Sequence, residues 1–470
     1  MRSAARLAPG PGAQWKEHAT SEVTVSTALV TDLYQLNMAL GYFAEGMTQR
    51  ATFSLFARHL PANRGFLVAA GLESVLGYLQ DFRVDDADIA GFASASGRRH
   101  EDLEPLRGLR FTGDVWAVPE GRIVLADEPL LEVTASLPQA QLVETYVLNQ
   151  VSHQTALASK AARCVGAASG VPVVDFSLRR CHGTEAGMHA ARVAGIAGFA
   201  ATSNVAAALE YGIPATGTMA HSFVEAFDDE AEAFRSFAGR TRGPVTLLVD
   251  TYDTAHGVTV AAEVLRDLAD ERQVGVRLDS GDLARLAVVA RRLLDEAGLP
   301  GARILVSGGL DEYDIHDLVA AGAPVDGFAV GTKVGTSADA PYLDSAYKLV
   351  EYDGRPVMKL SPGKATSPGR KQVFRGARVT DVIATREEKA PPGAEPLLVP
   401  VMVDGRRADR TPAPSEAVAS ARERLSADLA ELPEAARDIR GPVPPRPRRS
   451  PALTALTERV HRELERHAKA

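Results

Sequence analysis

The sequence predicts an α/β fold: an irregular TIM-like barrel domain plus a second α+β domain built from N-terminal and C-terminal segments. Three observations lead there. The 470 residues exceed what one compact domain usually holds. From Gln141 onward, short apolar runs alternate with helical stretches, the pattern of parallel strands joined by crossover helices. On either side of that region the pieces are strand-like and separated by turn residues.

Taken in order, residues 1–25 read as a flexible N-terminal extension. MRSAARLAPGPGAQWKEHAT carries arginines and early turn residues and lacks the apolar core of a secretory signal. Residues 26–140 form the N-terminal part of the α+β domain. ALVTDLYQLNMALGYFAEG starts as a short strand and turns helical, with Leu33, Leu36, Leu40 and Phe43 at helical spacing. ATFSLFAR alternates like a strand, and GFLVAAGLESVLGYL enters a helix. FTGDVWAVPEGRIVLADEPLLEV breaks into three apolar runs that read as antiparallel strands.

Residues 141–345 form the barrel-like domain. QLVETYVLNQVSHQTALASKAARCV is a long helix. Seven strands follow: VPVVDFS, GFAATSN, ATGTMA, PVTLLVD, VGVRLD, ARILVSG and DGFAVGT. That number approaches a closed barrel. Each strand runs directly into polar or glycine residues, where barrel and open α/β enzymes place their chemistry. Residues 346–405 return to strands that complete the first domain's sheet. Residues 406–470 are a helical, proline-rich extension, with GPVPPRPRRSPA as a linker or extended surface arm.

Composition narrows the function. With 45% hydrophobic and 24% charged residues the chain is an ordinary globular protein. A net charge of −8 offers no overall basic field for nucleic acid. Two cysteines, Cys164 and Cys181, make neither a disulfide framework nor a four-thiolate zinc site, so a reducing cytoplasmic setting is expected. No apolar run is long and clean enough to span a bilayer.

Four strand ends carry candidate chemistry. PATGTMAHSF places Thr218 and His221 just after a strand. Imidazole there serves as acid, base, metal ligand or nucleophile, although a lone histidine is more often structural. VGVRLDSGDLARL brings Arg277, Asp279, Ser280 and Asp282 to a helix start that favours anions. The aspartates suit hydroxyls or magnesium; helix capping alone also explains Ser280 and Asp282. ILVSGGLDEYD and GFAVGTKVGTS put glycines at two successive strand ends, and together they read as a phosphate cradle.

These segments together resemble the nicotinate phosphoribosyltransferase family. The matching pieces are TDLYQLNMALGYF (31–43), DFSLRRCHG (175–183), GTMAHSF (217–223), LLVDTYDT (247–254), VRLDSGD (276–282), VSGGLDE (306–312), VGTKVGTS (330–337) and YKLV (347–350). They keep the family's order. The resemblance implies transfer of a phosphoribosyl group from 5-phosphoribosyl 1-diphosphate to nicotinate, with ATP as co-substrate and Mg2+ brought in by the substrate phosphates. It makes His221 a phosphohistidine. Thr218, Arg277 and Ser203 would hold nicotinate, joined by Tyr34 from the partner subunit of a homodimer. Thr332, Arg179, Asp279, Gly308, Gly309 and Gly331 would bind the phosphoribosyl donor. Asp250, Asp279 and Asp282 are the carboxylates considered for the metal. Cys181 and His182 depart from the family pattern, and no chemistry is expected of them. The rival expectations are a quinolinate or nicotinamide enzyme on the same barrel, and a degenerate binding protein.

Overall fold

The structure is a computed structural model that describes residues 26–360 and 366–469. The extension expected at 1–25 lies outside the described residues. The chain then enters a short 3-10 turn, Thr27–Leu29, and the helix Leu33–Ala44, not a strand followed by a helix. Local side-chain bonds explain the difference. Ser26 accepts from the Ala28 amide, and Thr31 donates to Gln35 at 2.6 Å, bonds that favour a helix entrance over a ladder.

Strands from both ends of the sequence share one seven-stranded sheet. Arg50–Ala57 lies between Pro129–Ser136 and Ser345–Tyr352, antiparallel to both. Asp114–Ala117 extends it, and Val399–Val403 pairs with Asp114–Ala117. Of the three apolar runs in 111–135, the middle one does not join: Ile123–Val124 forms a separate ribbon with Leu67–Val68. A four-stranded sheet is built around Lys371–Gly376 and Thr380–Thr385. The proline-rich stretch is not a free arm. Its Arg448–Arg449 runs parallel to Thr380–Thr385.

The helix Glu144–Ala167 separates two hydrophobic cores and belongs to both. Val147 and Val151 face the core under the large antiparallel sheet, whereas Leu157 and Ala161 face the core of the parallel sheet. Every residue from Gln154 to Cys164 is buried. A helix covered on all sides must satisfy its polar side chains internally. Thr155 and Ser159 do so by accepting from the Ala70 and Val68 amides.

The parallel sheet has six strands, in the order Ala201–Thr202, Val173–Asp175, Gly327–Val330, Arg303–Val306, Val274–Leu278, Val245–Leu248. Val274–Leu278 is buried throughout, as expected of a parallel strand covered on both faces. The seventh expected strand, ATGTMA, supplies only an isolated bridge between Ala215 and Thr202. The sheet is therefore a curled half-barrel and does not close. Pairing stops after that bridge. Thr216 donates to Thr202 and Thr202 to the Pro214 carbonyl, and beyond them the Met219 carbonyl accepts from the Arg277 side chain and not from a strand. Among the described residues no helix is long and apolar enough to cross a membrane.

Candidate active site

The carboxyl ends of the half-barrel strands surround a cavity of about 520 Å³. Arg277 lines it as the penultimate residue of Val274–Leu278. Only 8% of the residue is exposed. One terminal nitrogen donates to the Thr218 hydroxyl and to the Met219 carbonyl, the latter at 3.1 Å. The other reaches Asp279 Oδ1 at 3.4 Å, and the guanidinium lies 5.9 Å from the centre of the Phe176 ring. Its Nε is buried and has no partner. Burial pulls the guanidinium below its ordinary value, while Asp279 and Asp250 oppose that pull. A buried cation with an unsatisfied donor is a site prepared for an anion.

Two further arginines line the cavity. Arg179 and Arg180 belong to the 3-10 turn Leu178–Arg180 and are both exposed. Asp279 is the one carboxylate residue among those lining the cavity. The lining thus carries three arginines against one aspartate in a chain of net charge −8. The glycine turns complete the wall. At Gly308, φ is +102°, and an added Cβ would lie 1.9 Å from the Asp279 carbonyl oxygen, so only glycine fits between these strands. Gly309, Gly331 and Thr332 line the same cavity, with Thr332 opening the single-turn helix Thr332–Gly335. Ser203 lines it too, held by its amide bond to the Asp175 carbonyl at 2.8 Å.

His221 does not itself line the cavity; it follows Ala220, which does. It is the first residue of the short helix His221–Glu225. Its Nδ1 is 3.2 Å from the Thr251 hydroxyl, and its Nε2 is 3.8 Å from Asp279 Oδ2. The imidazole side chain is 39% exposed.

The candidate carboxylates do not gather into a metal site. Asp282 is the N-cap of Leu283–Glu296 and accepts from the Arg285 amide at 3.1 Å, so capping accounts for it. Asp250 Oδ2 accepts from the Asp279 amide and the Ser280 hydroxyl, while its Oδ1 is buried without a partner. Asp279 accepts from Ser307 at 2.5 Å. Among the described residues, no three His, Cys, Asp or Glu side chains converge.

Tyr34 is not brought to this cavity. It is half exposed and lines a separate recess with Asp32, Glu144, His153 and Tyr342. The Cys181 thiol donates to the Ser177 carbonyl, and burial raises it above the ordinary thiol range. Residue patterns had not singled out Arg180, Phe176, Ser307, Met219 or Thr251. Arg180 had a signal as the second basic residue of DFSLRR. The others act through contacts between strands, which no local pattern records.

A parallel half-barrel with arginines and glycine turns at its strand ends defines an enzyme that handles an anionic small molecule. Similarity to known proteins narrows this. Residues 29–152 match the nicotinate phosphoribosyltransferase N-terminal domain, and residues 171–379 match the nicotinate phosphoribosyltransferase family. The chain is 50% identical over 385 residues to nicotinate phosphoribosyltransferase pncB2 of Mycobacterium tuberculosis, covering 81% of this chain and 82% of that one. It is 45% identical over 359 residues to nicotinate phosphoribosyltransferase of Bacillus subtilis, covering 74% and 73%. The crystal structure of human nicotinic acid phosphoribosyltransferase superposes with a TM-score of 0.80 at 28% identity, covering 92% of this chain and all of that one. The chain belongs to the nicotinate phosphoribosyltransferase family.

Proposed function

We propose that this enzyme transfers the phosphoribosyl group of 5-phosphoribosyl 1-diphosphate to nicotinate in NAD biosynthesis, coupled to ATP through phosphorylation of His221. The observation that carries the reading is the buried, incompletely satisfied Arg277 in a cavity lined by two more arginines. Arg277 pairs with the nicotinate carboxylate, steadied by Thr218 and faced by Ser203. The pyridine nitrogen then attacks C1 of the donor as the C1–O bond to diphosphate breaks. Arg179, Arg180 and the backbone amides around Gly308, Gly309, Gly331 and Thr332 take up the charge of the departing diphosphate. Holding both reactants in line supplies the rest of the rate gain.

Magnesium would arrive on the donor's phosphates, where it neutralises the leaving group. Asp279 lines the cavity and is partly exposed, which suits it to share that ion. ATP would donate its terminal phosphoryl group to His221, releasing ADP. Thr251 fixes the ring for that transfer. The resulting dianion beside the cavity favours the cationic ribosyl group. Hydrolysis of the phosphohistidine then returns phosphate.

Ser203 sets the choice of base, because a hydroxyl can donate to a carboxylate that an aspartate would repel. Ser203→Asp should shift the ratio of kcat/KM for nicotinate over nicotinamide downward by about tenfold or more. Turnover of nicotinate, nicotinamide and quinolinate, each with and without ATP, tests the whole reading. A wild-type preference for nicotinamide or quinolinate overturns it.

Tyr34 completes the site from a second copy of the chain, so the enzyme works as a homodimer with shared sites. Mixing inactive Tyr34→Ala and Arg277→Ala proteins should then restore about a quarter of wild-type turnover, the share expected for one intact site in half of the dimers. No recovery after mixing and subunit exchange means that Tyr34 serves its own chain or none.

A further inference from the structure

Behind the two glycine turns lies a buried ionic cluster that the proposed chemistry does not use. Arg64, Lys160 and Arg163 meet Glu312 and Asp339, and none of these side chains is more than 10% exposed. Arg64 grips Asp339 through two bonds, Nε to Oδ2 at 3.1 Å and Nη2 to Oδ1 at 3.0 Å. Lys160 bridges Glu312 and Asp339, the latter at 2.9 Å. Arg163 donates to Glu312 Oε1 at 3.0 Å and to the Ile439 carbonyl at 2.7 Å.

The carboxylates are placed with respect to the cavity wall. Glu312 is the first residue of the helix Glu312–Ala320, directly after the turn that holds Ser307, Gly308 and Gly309. Asp339 follows the single-turn helix opened by Thr332. Arg64 also donates to Ser337 at 3.1 Å, inside that second turn. Lys160 thus ties both glycine loops together, with Arg163 holding Glu312 and Arg64 holding Asp339 and Ser337, and all three cations sit on elements outside the loops. A buried ion group is an expensive way to gain stability, since apolar residues of similar volume serve as well. It is an effective way to fix a distance, because charge-assisted bonds tolerate little displacement.

We propose that Glu312 and Asp339 are positioning residues which set the spacing of the 307–311 and 331–337 loops. Through that spacing they control affinity for the diphosphate end of the phosphoribosyl donor without touching it. The inference rests on the reading that this cavity binds that donor.

Glu312→Gln and Asp339→Asn test it. The expected result is a rise of about tenfold or more in KM for phosphoribosyl diphosphate, with KM for nicotinate within about twofold, as misplaced contacts weaken only the group they hold. Calorimetric binding of inorganic diphosphate should weaken by the same factor, and this needs no turnover. Either single variant leaves a buried charge short of its partner and can lose stability. The paired variant Lys160→Met with Glu312→Gln therefore serves as the second probe. It should unfold near the wild-type temperature yet keep the donor defect. The proposal is overturned if folded variants bind diphosphate as wild type does. It is also overturned if the paired variant recovers donor affinity along with stability, or if both KM values rise together. A wild-type protein that turns over no phosphoribosyl diphosphate would instead refute the functional reading.

Discussion

Replacing Arg277 with alanine will lower kcat/KM for nicotinate by about a hundred- to a thousandfold, the loss expected when one member of a buried charge-assisted pair is removed. The argument starts from burial. Arg277 has its place in the cavity because Val274–Leu278 ends there, and it is already bonded to Thr218, Met219 and Asp279. Its removal takes away the cation proposed to receive the carboxylate and also the donor bonded to Thr218. Arg277→Lys should recover little, because a single ammonium cannot reproduce the flat fork of donors. Steady-state kinetics with nicotinate and nicotinamide would separate these effects. Loss confined to nicotinate marks a carboxylate contact, and equal loss for both bases would point to a collapsed cavity and sink the assignment.

His221→Ala should abolish the acceleration by ATP and the phosphohistidine signal while leaving a folded enzyme. The side chain is partly exposed, and its polar contacts are Thr251 and the longer approach to Asp279, so little packing is lost. Transfer without ATP should persist, because Arg277, the glycine turns and the donor contacts remain. Rates with and without ATP, together with radiolabel from the terminal phosphate of ATP, check this. Acceleration by ATP in the folded variant would place the coupling elsewhere.

Much of the half-barrel was legible because parallel strands announce themselves as short apolar runs followed by polar residues. Arg277 and the glycines of SGG and VGT could be placed at strand ends on that basis alone. The opening of the barrel could not. ATGTMA looks like a strand by composition, but it pairs with Thr202 at a single bridge and its Met219 carbonyl accepts from the Arg277 side chain, a fact of tertiary contact. Likewise Ile123–Val124 has the composition of its neighbours yet pairs with Leu67–Val68, because pairing depends on what lies opposite. Asp282 shows the converse. Its capping role was visible in the sequence as the plainer alternative to a metal ligand, and local hydrogen bonding favours it. Tyr34 needed the family resemblance to be noticed at all, since within one chain it lies away from the cavity.

The helix Glu144–Ala167 has a consequence for how the molecule comes apart. It supplies side chains to both hydrophobic cores and is enclosed from Gln154 to Cys164. Neither core can be opened to water without stripping one wall from the other. Heat or denaturant is therefore expected to melt both cores in one transition, and the amides from Gln154 to Cys164 should be among the slowest to exchange with solvent, which hydrogen exchange would check.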